Sequence, residues 1–173
     1  MQNAAVESAQ KYTAQAAEDA RGNPDPSKLH VAITSIDTAT GGILATYGGP
    51  DYVKSSMNWA TTARPAASTF KTFATIAGLR NGFSLNSEFR GSTFTPEGDS
   101  QTIRNEFGES YGRLVSLRRA TALSINTAFV DLTEQIPDGA NKVITAANDA
   151  GAPTGPGWDA NNRIALGAAE VSP

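Results

Sequence analysis

A chain of 173 residues can bury one core without being forced into two domains, and 39% hydrophobic with 18% charged residues is an ordinary globular balance. A net charge of −3 with no basic run gives no footprint for nucleic acid, and no apolar stretch approaches the roughly 20 residues of a membrane span. With no cysteine and a single histidine, thiol catalysis and disulfides are excluded, a metal site is not expected, and no cofactor is implied.

Residues 4 to 20 are rich in Ala, Gln and Glu, and Gly22 followed by Pro24 and Pro26 ends them, which predicts a helix with a glycine stop. Two apolar runs, Leu29 to Ile36 and Ile43 to Tyr47, flank Asp37-Thr38-Ala39-Thr40-Gly41-Gly42 and predict a hairpin. His30, inside the first run, reads as a structural residue in or beside a strand. Gly48-Gly49-Pro50 breaks the second strand, and a polar loop runs to Pro65.

Ser68 to Arg80 predicts a helix closed by Asn81-Gly82. Phe70, Phe73, Ala74, Ile76, Ala77 and Leu79 cover so much of its surface that it should be central and buried. Residues 83–112 are dense in Ser, Thr, Gly, Asn and Glu and predict a long, mostly irregular excursion. The stretches 114–123, 127–135 and 140–150 predict helices, the last stopped by Gly151, and Gly155-Pro156-Gly157 makes a loop before residues 163–169. One hairpin is marginal alone, and several apolar helices want a sheet to cover, so strands from another chain or from a continuation of this one are expected to complete it.

Within this layout one tetrad breaks a local rule. Ser68-Thr69-Phe70-Lys71 opens the apolar helix, and serine there has a plain reading as a helix cap. The residue three positions on would then be Glu or Gln, but it is Lys71. A lysine in the first turn meets the positive end of the helix dipole, and its neighbours Phe70, Phe73 and Ala74 are apolar, so its neutral form is favoured. Positions i and i+3 share a face, which places the amine beside the Ser68 hydroxyl as an activated nucleophile. A second match, Ser8-Ala9-Gln10-Lys11, lies in a polar helix where nothing desolvates the amine.

Ser-x-Asn occurs three times, at Ser56–Asn58, Ser84–Asn86 and Ser124–Asn126. Ser84 lies past the far end of Ser68's helix, roughly 20 Å from its start. Ser56 lies just upstream and is not excluded by distance. Ser124, at a junction of two apolar helices, is favoured as a proton relay between Lys71 and a leaving group, with Asn126 as a donor to a substrate amide and to Lys71. Gly108-Glu109-Ser110-Tyr111-Gly112 matches a nucleophile elbow, but that chemistry needs a histidine after the serine, and a polar stretch precedes it. It reads as a loop.

With these residues in hand, the chain resembles the first part of the transpeptidase domain of class A penicillin-binding proteins. The likeness rests on residues 37–45 and 47–52, on 58–64 leading into Ser68-Thr69-Phe70-Lys71-Thr72-Phe73, and on Asn105 with residues 116–128. Ala165-Leu166-Gly167 and Glu170-Val171-Ser172-Pro173 extend it. It implies an α+β (or α/β) fold of the serine β-lactamase and D,D-transpeptidase kind: a helical region with a central helix packed on an antiparallel sheet, to which this chain supplies mainly one hairpin. Residues 1–50 would hold the first helix and hairpin, and 51–173 the mainly helical region.

The resemblance implies a serine D,D-transpeptidase cross-linking peptidoglycan stem peptides through an acyl-enzyme on Ser68, with β-lactam antibiotics acylating the same serine. Two departures stand out. Ala67 precedes Ser68 where the family usually has glycine, and no Lys-Thr-Gly motif occurs, so the strand carrying it is expected from the remainder of the transpeptidase domain. The chain is therefore expected to be part of a longer, membrane-anchored extracytoplasmic protein, and inactive without that strand. A β-lactam-hydrolysing or β-lactam-sensing protein of the same fold, and a non-catalytic peptidoglycan-binding scaffold, are the alternative readings.

Overall fold

The computed structural model describes residues 1–20, 22, 25–53 and 55–173, which fall into one unit of residues 1–64 with 172–173 and another of residues 65–171. Pro24, part of the expected helix stop, lies outside the described residues. Among the described residues no helix is long and apolar enough to cross a membrane.

In the first unit, α1 (Gln2–Asp19) buries Ala5, Ala9 and Ala17. Methyl-sized side chains on that stripe let the helix lie close against β2 (Ile43–Tyr47). The Gln2 amide donates to the Thr46 carbonyl at 2.8 Å and accepts the Thr46 N–H at 3.0 Å, satisfying the backbone of β2 as a neighbouring strand would. Ser8 and Lys11 are exposed on this helix, so the second Ser-x-x-Lys match is a solvated face.

β1 (Ile33–Ile36) pairs antiparallel with β2, from Ile33 opposite Tyr47 to Ile36 opposite Ile43, with an irregularity after Ser35. The partner strand stops before Gly48-Gly49-Pro50, so pairing begins at Ile33 rather than at Leu29 as expected. The turn is organised by Asp37, whose carboxylate accepts the Ala39 N–H and the Thr40 hydroxyl. Those bonds hold the Asp37 carboxyl below its ordinary pKa. His30 lies beside the hairpin and stacks on Trp59, ring centroids 3.9 Å apart. Ile36 and Ile43 keep more than half of their surface exposed.

The second unit opens at Pro65, the end of the two-residue strand β3 (Arg64–Pro65). A 3-10 turn, Ala67–Phe70, then winds into α2 (Lys71–Arg80). Ser68 does not cap this helix: the turn starts one residue earlier, after Ala66, and no side chain bonds its N-terminus. The N–H groups of Ala66 and Ala67 donate to the carbonyls of Ala169 and Gly167, each at 2.9 Å, so the stretch before Ser68 is held from the far end of the unit.

Phe70, Lys71, Ala74, Ala77 and Gly78 form the buried side of α2 and its leading turn. They pack on α4 (Asn126–Gln135) and α5 (Gly139–Asp149). A Cβ on Gly78 would stand 3.1 Å from Leu132, so glycine there sets how near α2 and α4 approach. Leu79, expected inside, is 46% exposed, which makes the helix central on one side and open on the other. The core joins Phe70, Phe89, Leu117, Ile125, Phe129, Leu132, Ile136 and Ile164, all fully buried, and Phe70 meets Phe73 and Trp158 edge-on.

The excursion is less irregular than expected. β4 (Glu88–Arg90) pairs antiparallel with β5 (Leu114–Ser116), so the first three residues of the helix expected over 114–123 belong to a strand. Val115 is buried opposite Phe89, and that cross-strand burial outweighs local helix preference. The helix itself, α3 (Leu117–Ala122), starts where the Ser116 hydroxyl accepts the Arg119 N–H. Buried Asp131 of α4 accepts the Arg90 N–H at 2.8 Å and pins the strand pair to the helices. Arg163 grips the outer part of the excursion through the Asp99 carboxylate and the Gln101 carbonyl, just before the 3-10 turn Ile164–Leu166 that leads to β6 (Glu170–Val171).

Candidate active site

Lys71 is the first residue of α2 and only 4% exposed, yet the hydroxyl-bearing residues beside it, Ser68 and Ser124, are open to solvent. An amine within hydrogen-bond reach of a hydroxyl can activate it as a nucleophile. Lys71 Nζ lies 3.1 Å from Ser68 Oγ, 2.9 Å from Ser124 Oγ, 2.7 Å from the Ser124 carbonyl and 2.6 Å from Asn126 Oδ1. The aromatic ring of Phe129 closes the site from the core side, its centroid 5.7 Å from the same nitrogen.

The structure thus brings Ser68, Lys71, Ser124 and Asn126 together, from the turn before α2, its first residue, the α3–α4 junction and the first residue of α4. The other Ser-x-Asn matches do different work. Ser84 bonds the Asn86 N–H in a turn, and Asn58 accepts the Ala60 N–H in the first unit. The elbow-like stretch 108–112 follows a 3-10 turn, Glu106–Gly108, rather than a buried strand, and Ser110 is exposed.

Ser124, and Ala67 just before Ser68, have backbone conformations the sequence did not announce. Ser124 has φ +53° and Ala67 φ +48°, both left-handed and both without glycine's freedom. At Ser124 the left-handed turn between helices accompanies the presentation of both its carbonyl and its hydroxyl to one amine. Asn126 differs from expectation in direction. Its Oδ1 accepts from Lys71, while its amide nitrogen donates to the Arg104 carbonyl at 3.2 Å. An amine has N–H bonds to give, so the amide turns its oxygen inward.

Burial pushes the Lys71 amine down from an ordinary value of 10.5 to about 8, with the Glu106 carboxylate pulling weakly the other way. A neutral amine has two N–H bonds and one lone pair. The shortest contacts go to acceptor-only oxygens, the Ser124 carbonyl and Asn126 Oδ1, and take both N–H bonds. In the charged form Nζ donates to the Ser68 and Ser124 hydroxyls as well; in the neutral form the lone pair can face one of them. Among the described residues no group of His, Asp and Glu is placed to hold a metal ion.

The sequence offered Asn105 only as part of the resemblance and gave it no role; it is buried and bonded to Thr127, the neighbour of Asn126. An asparagine in a polar, irregular stretch carries no local mark of burial. Glu106 and the left-handed Ser124 were equally silent.

The family model for the penicillin-binding protein transpeptidase domain matches residues 31–162. "Penicillin-binding protein 1A" of Mycolicibacterium smegmatis is 32% identical, the match covering 96% of this chain and 21% of that protein. "Penicillin-binding protein 2D" of Bacillus subtilis is 31% identical over 72% of this chain and 18% of that protein. Among solved structures, PonA1 of Mycobacterium tuberculosis in complex with penicillin V superimposes with a TM-score of 0.80 at 27% identity, covering 99% of this chain and 45% of that one. This chain spans about a fifth of the length of the curated relatives it matches. With a family model over residues 31–162 and relatives of this kind, the chain belongs to the transpeptidase domain family of the class A penicillin-binding proteins.

Proposed function

We propose that this chain carries the nucleophile and proton-transfer groups of a serine D,D-transpeptidase that cross-links peptidoglycan stem peptides. The observation that supports this most is the contact of one buried, weakly basic amine with two accessible hydroxyls. Neutral Lys71 takes the Ser68 proton as Oγ attacks the penultimate D-alanine carbonyl of a stem peptide. Ser124 relays a proton from Lys71 to the departing nitrogen, the C–N bond breaks, and terminal D-alanine leaves. An amine of a neighbouring strand then attacks the acyl-enzyme, and its proton returns to Ser68 through Lys71. The peptide N–H of Ser68 serves as one donor to the oxyanion. The free N–H of Asn126 faces a substrate amide on this reading.

β-Lactams acylate Ser68 by the same attack. The second oxyanion donor and the groups that hold the substrate carboxylate come from a Lys-Thr-Gly strand in the remainder of the parent protein. That remainder also covers the apolar surface that Ile36 and Ile43 leave open, and it holds the parent at the extracytoplasmic face of the membrane.

Intact-mass measurement after exposure to benzylpenicillin tests this. A penicilloyl adduct is expected on Ser68 in the parent protein, with little or none on residues 1–173 alone. An adduct mapped to another residue, or none on the parent, would sink the proposal. Rapid release of hydrolysed penicillin would replace it with a β-lactamase.

A further inference from the structure

The Lys71 acceptor Asn126 is placed by its neighbours, and one of these does more than fill space. Asn105 is 5% exposed, and its side chain uses every direction an amide offers. Nδ2 donates to the Gly91 carbonyl at 3.0 Å and the Glu109 carbonyl at 3.1 Å. Oδ1 accepts the Thr127 N–H at 3.0 Å and the Thr127 hydroxyl at 3.2 Å. The two donor bonds tie together both limbs of the excursion. One acceptor bond satisfies a backbone N–H in the first turn of α4, where such groups lack helical partners, and the other holds the Thr127 hydroxyl. Thr127 follows Asn126 directly, and Asn126 itself donates to the carbonyl of Arg104, the residue before Asn105. Two adjacent residues of the excursion therefore hold two adjacent residues of α4.

We propose that Asn105 is a positioning residue: it fixes the start of α4 against the excursion so that Asn126 Oδ1 meets the Lys71 amine at hydrogen-bond distance. This rests on the transpeptidase reading of the site. Only an amide side chain donates twice and accepts twice on one oxygen, and glutamine, the other amide, is one methylene longer than this buried position holds in asparagine. Aspartate keeps the acceptors and loses both donors. Alanine loses all four bonds.

The test uses the whole parent protein and benzylpenicillin. Wild-type protein is measured first; if it takes no adduct on Ser68, the transpeptidase reading falls and this inference with it. Asn105→Ala is then compared for noncovalent affinity, acylation rate and the pH at half-maximal acylation. With an unchanged circular dichroism spectrum, acylation is expected to slow by about tenfold to a hundredfold, as a small misplacement of reacting groups does. Affinity before acylation should fall by less than the rate does, because only the one contact that Asn126 makes to the ligand is disturbed. The half-maximal pH should fall, because a drifting Asn126 removes an acceptor that favours the ammonium form, while Glu106 still acts on the amine. Wild-type kinetics in Asn105→Ala, or a slower rate with an unmoved pH profile, overturns the proposal and leaves the transpeptidase reading intact. Should Asn105→Ala fail to fold, Thr127→Val deletes one of the bonds at nearly constant volume. It should shift rate and pH profile in the same directions, and no change in either sinks the idea.

Discussion

Lys71 and Ser124 meet twice, through the Ser124 carbonyl at 2.7 Å and the Ser124 hydroxyl at 2.9 Å from one nitrogen. On the proposed mechanism the main-chain contact positions the amine and the side-chain contact gives it a route for a proton. The two roles are separable, because only the hydroxyl disappears when serine becomes alanine. Ser124→Ala is therefore expected to leave Lys71 in place. Acylation of the parent protein by penicillin should fall about a hundredfold or more, the scale of a lost proton-transfer group, with the melting temperature nearly unchanged. Stopped-flow acylation checks the rate. A variant as fast as wild type removes Ser124 from the proton path.

The lowered basicity of Lys71 sets a pH dependence with a definite sign. If the free amine is the base, acylation of Ser68 rises with pH and levels off above about pH 8. Stability follows the same group differently. The folded amine sits near 8 and the unfolded one at its ordinary value of 10.5, so between those values the unfolded chain binds more protons. Wild type should thus gain stability relative to Lys71→Met as pH rises from about 8 to 10.5, and show no change in that difference below about 7. Urea unfolding of both proteins across this range measures it.

Ala67 and Gly167 form a close pair next to Ser68. A Cβ on Gly167 would lie 1.9 Å from the Ala67 carbonyl oxygen, and Gly167 itself has φ +79°. Ala67 is left-handed without being glycine, at a cost of about 1–2 kcal/mol, partly offset by the lower entropy of alanine in the unfolded chain. Ala67→Gly is expected to stabilise the fold by roughly 0.5–1 kcal/mol, and Gly167→Ala to destabilise it by on the order of 3 kcal/mol. Thermal melts of the two variants should move in opposite directions.

Phe129 links core and site, being fully buried while its ring faces the Lys71 amine. Phe129→Ala should cost about 3–5 kcal/mol through the lost burial and the cavity left behind. Water admitted to that cavity relieves the burial of the amine, so the half-maximal pH of acylation should rise toward the ordinary lysine range. Denaturant unfolding reads the first effect and the pH profile the second.

Much of the chain was legible because its local patterns agreed with its final environment. The hairpin strands, α4 and α5 fall within a few residues of where periodicity and glycine stops put them. Leu114–Ser116 did not, because three residues of a strand look like the start of a helix until Phe89 is seen across from Val115. Ser68 and Lys71 were readable together, since four consecutive residues on one turn determine that they touch.

Sequence alone determined that a serine and a desolvated lysine share a helix face, that no thiol can take their place, and that the chain resembles one family. Tertiary structure decided what that lysine meets. The contact with the Ser124 carbonyl, the orientation of Asn126 and the bonds of Asn105 to Thr127 join residues 22 to 55 positions apart, and Ala67 is held by the still more distant Gly167. Such contacts are fixed by the requirement that every buried polar group find a partner once the core closes, and no local stretch of sequence encodes which partner that is.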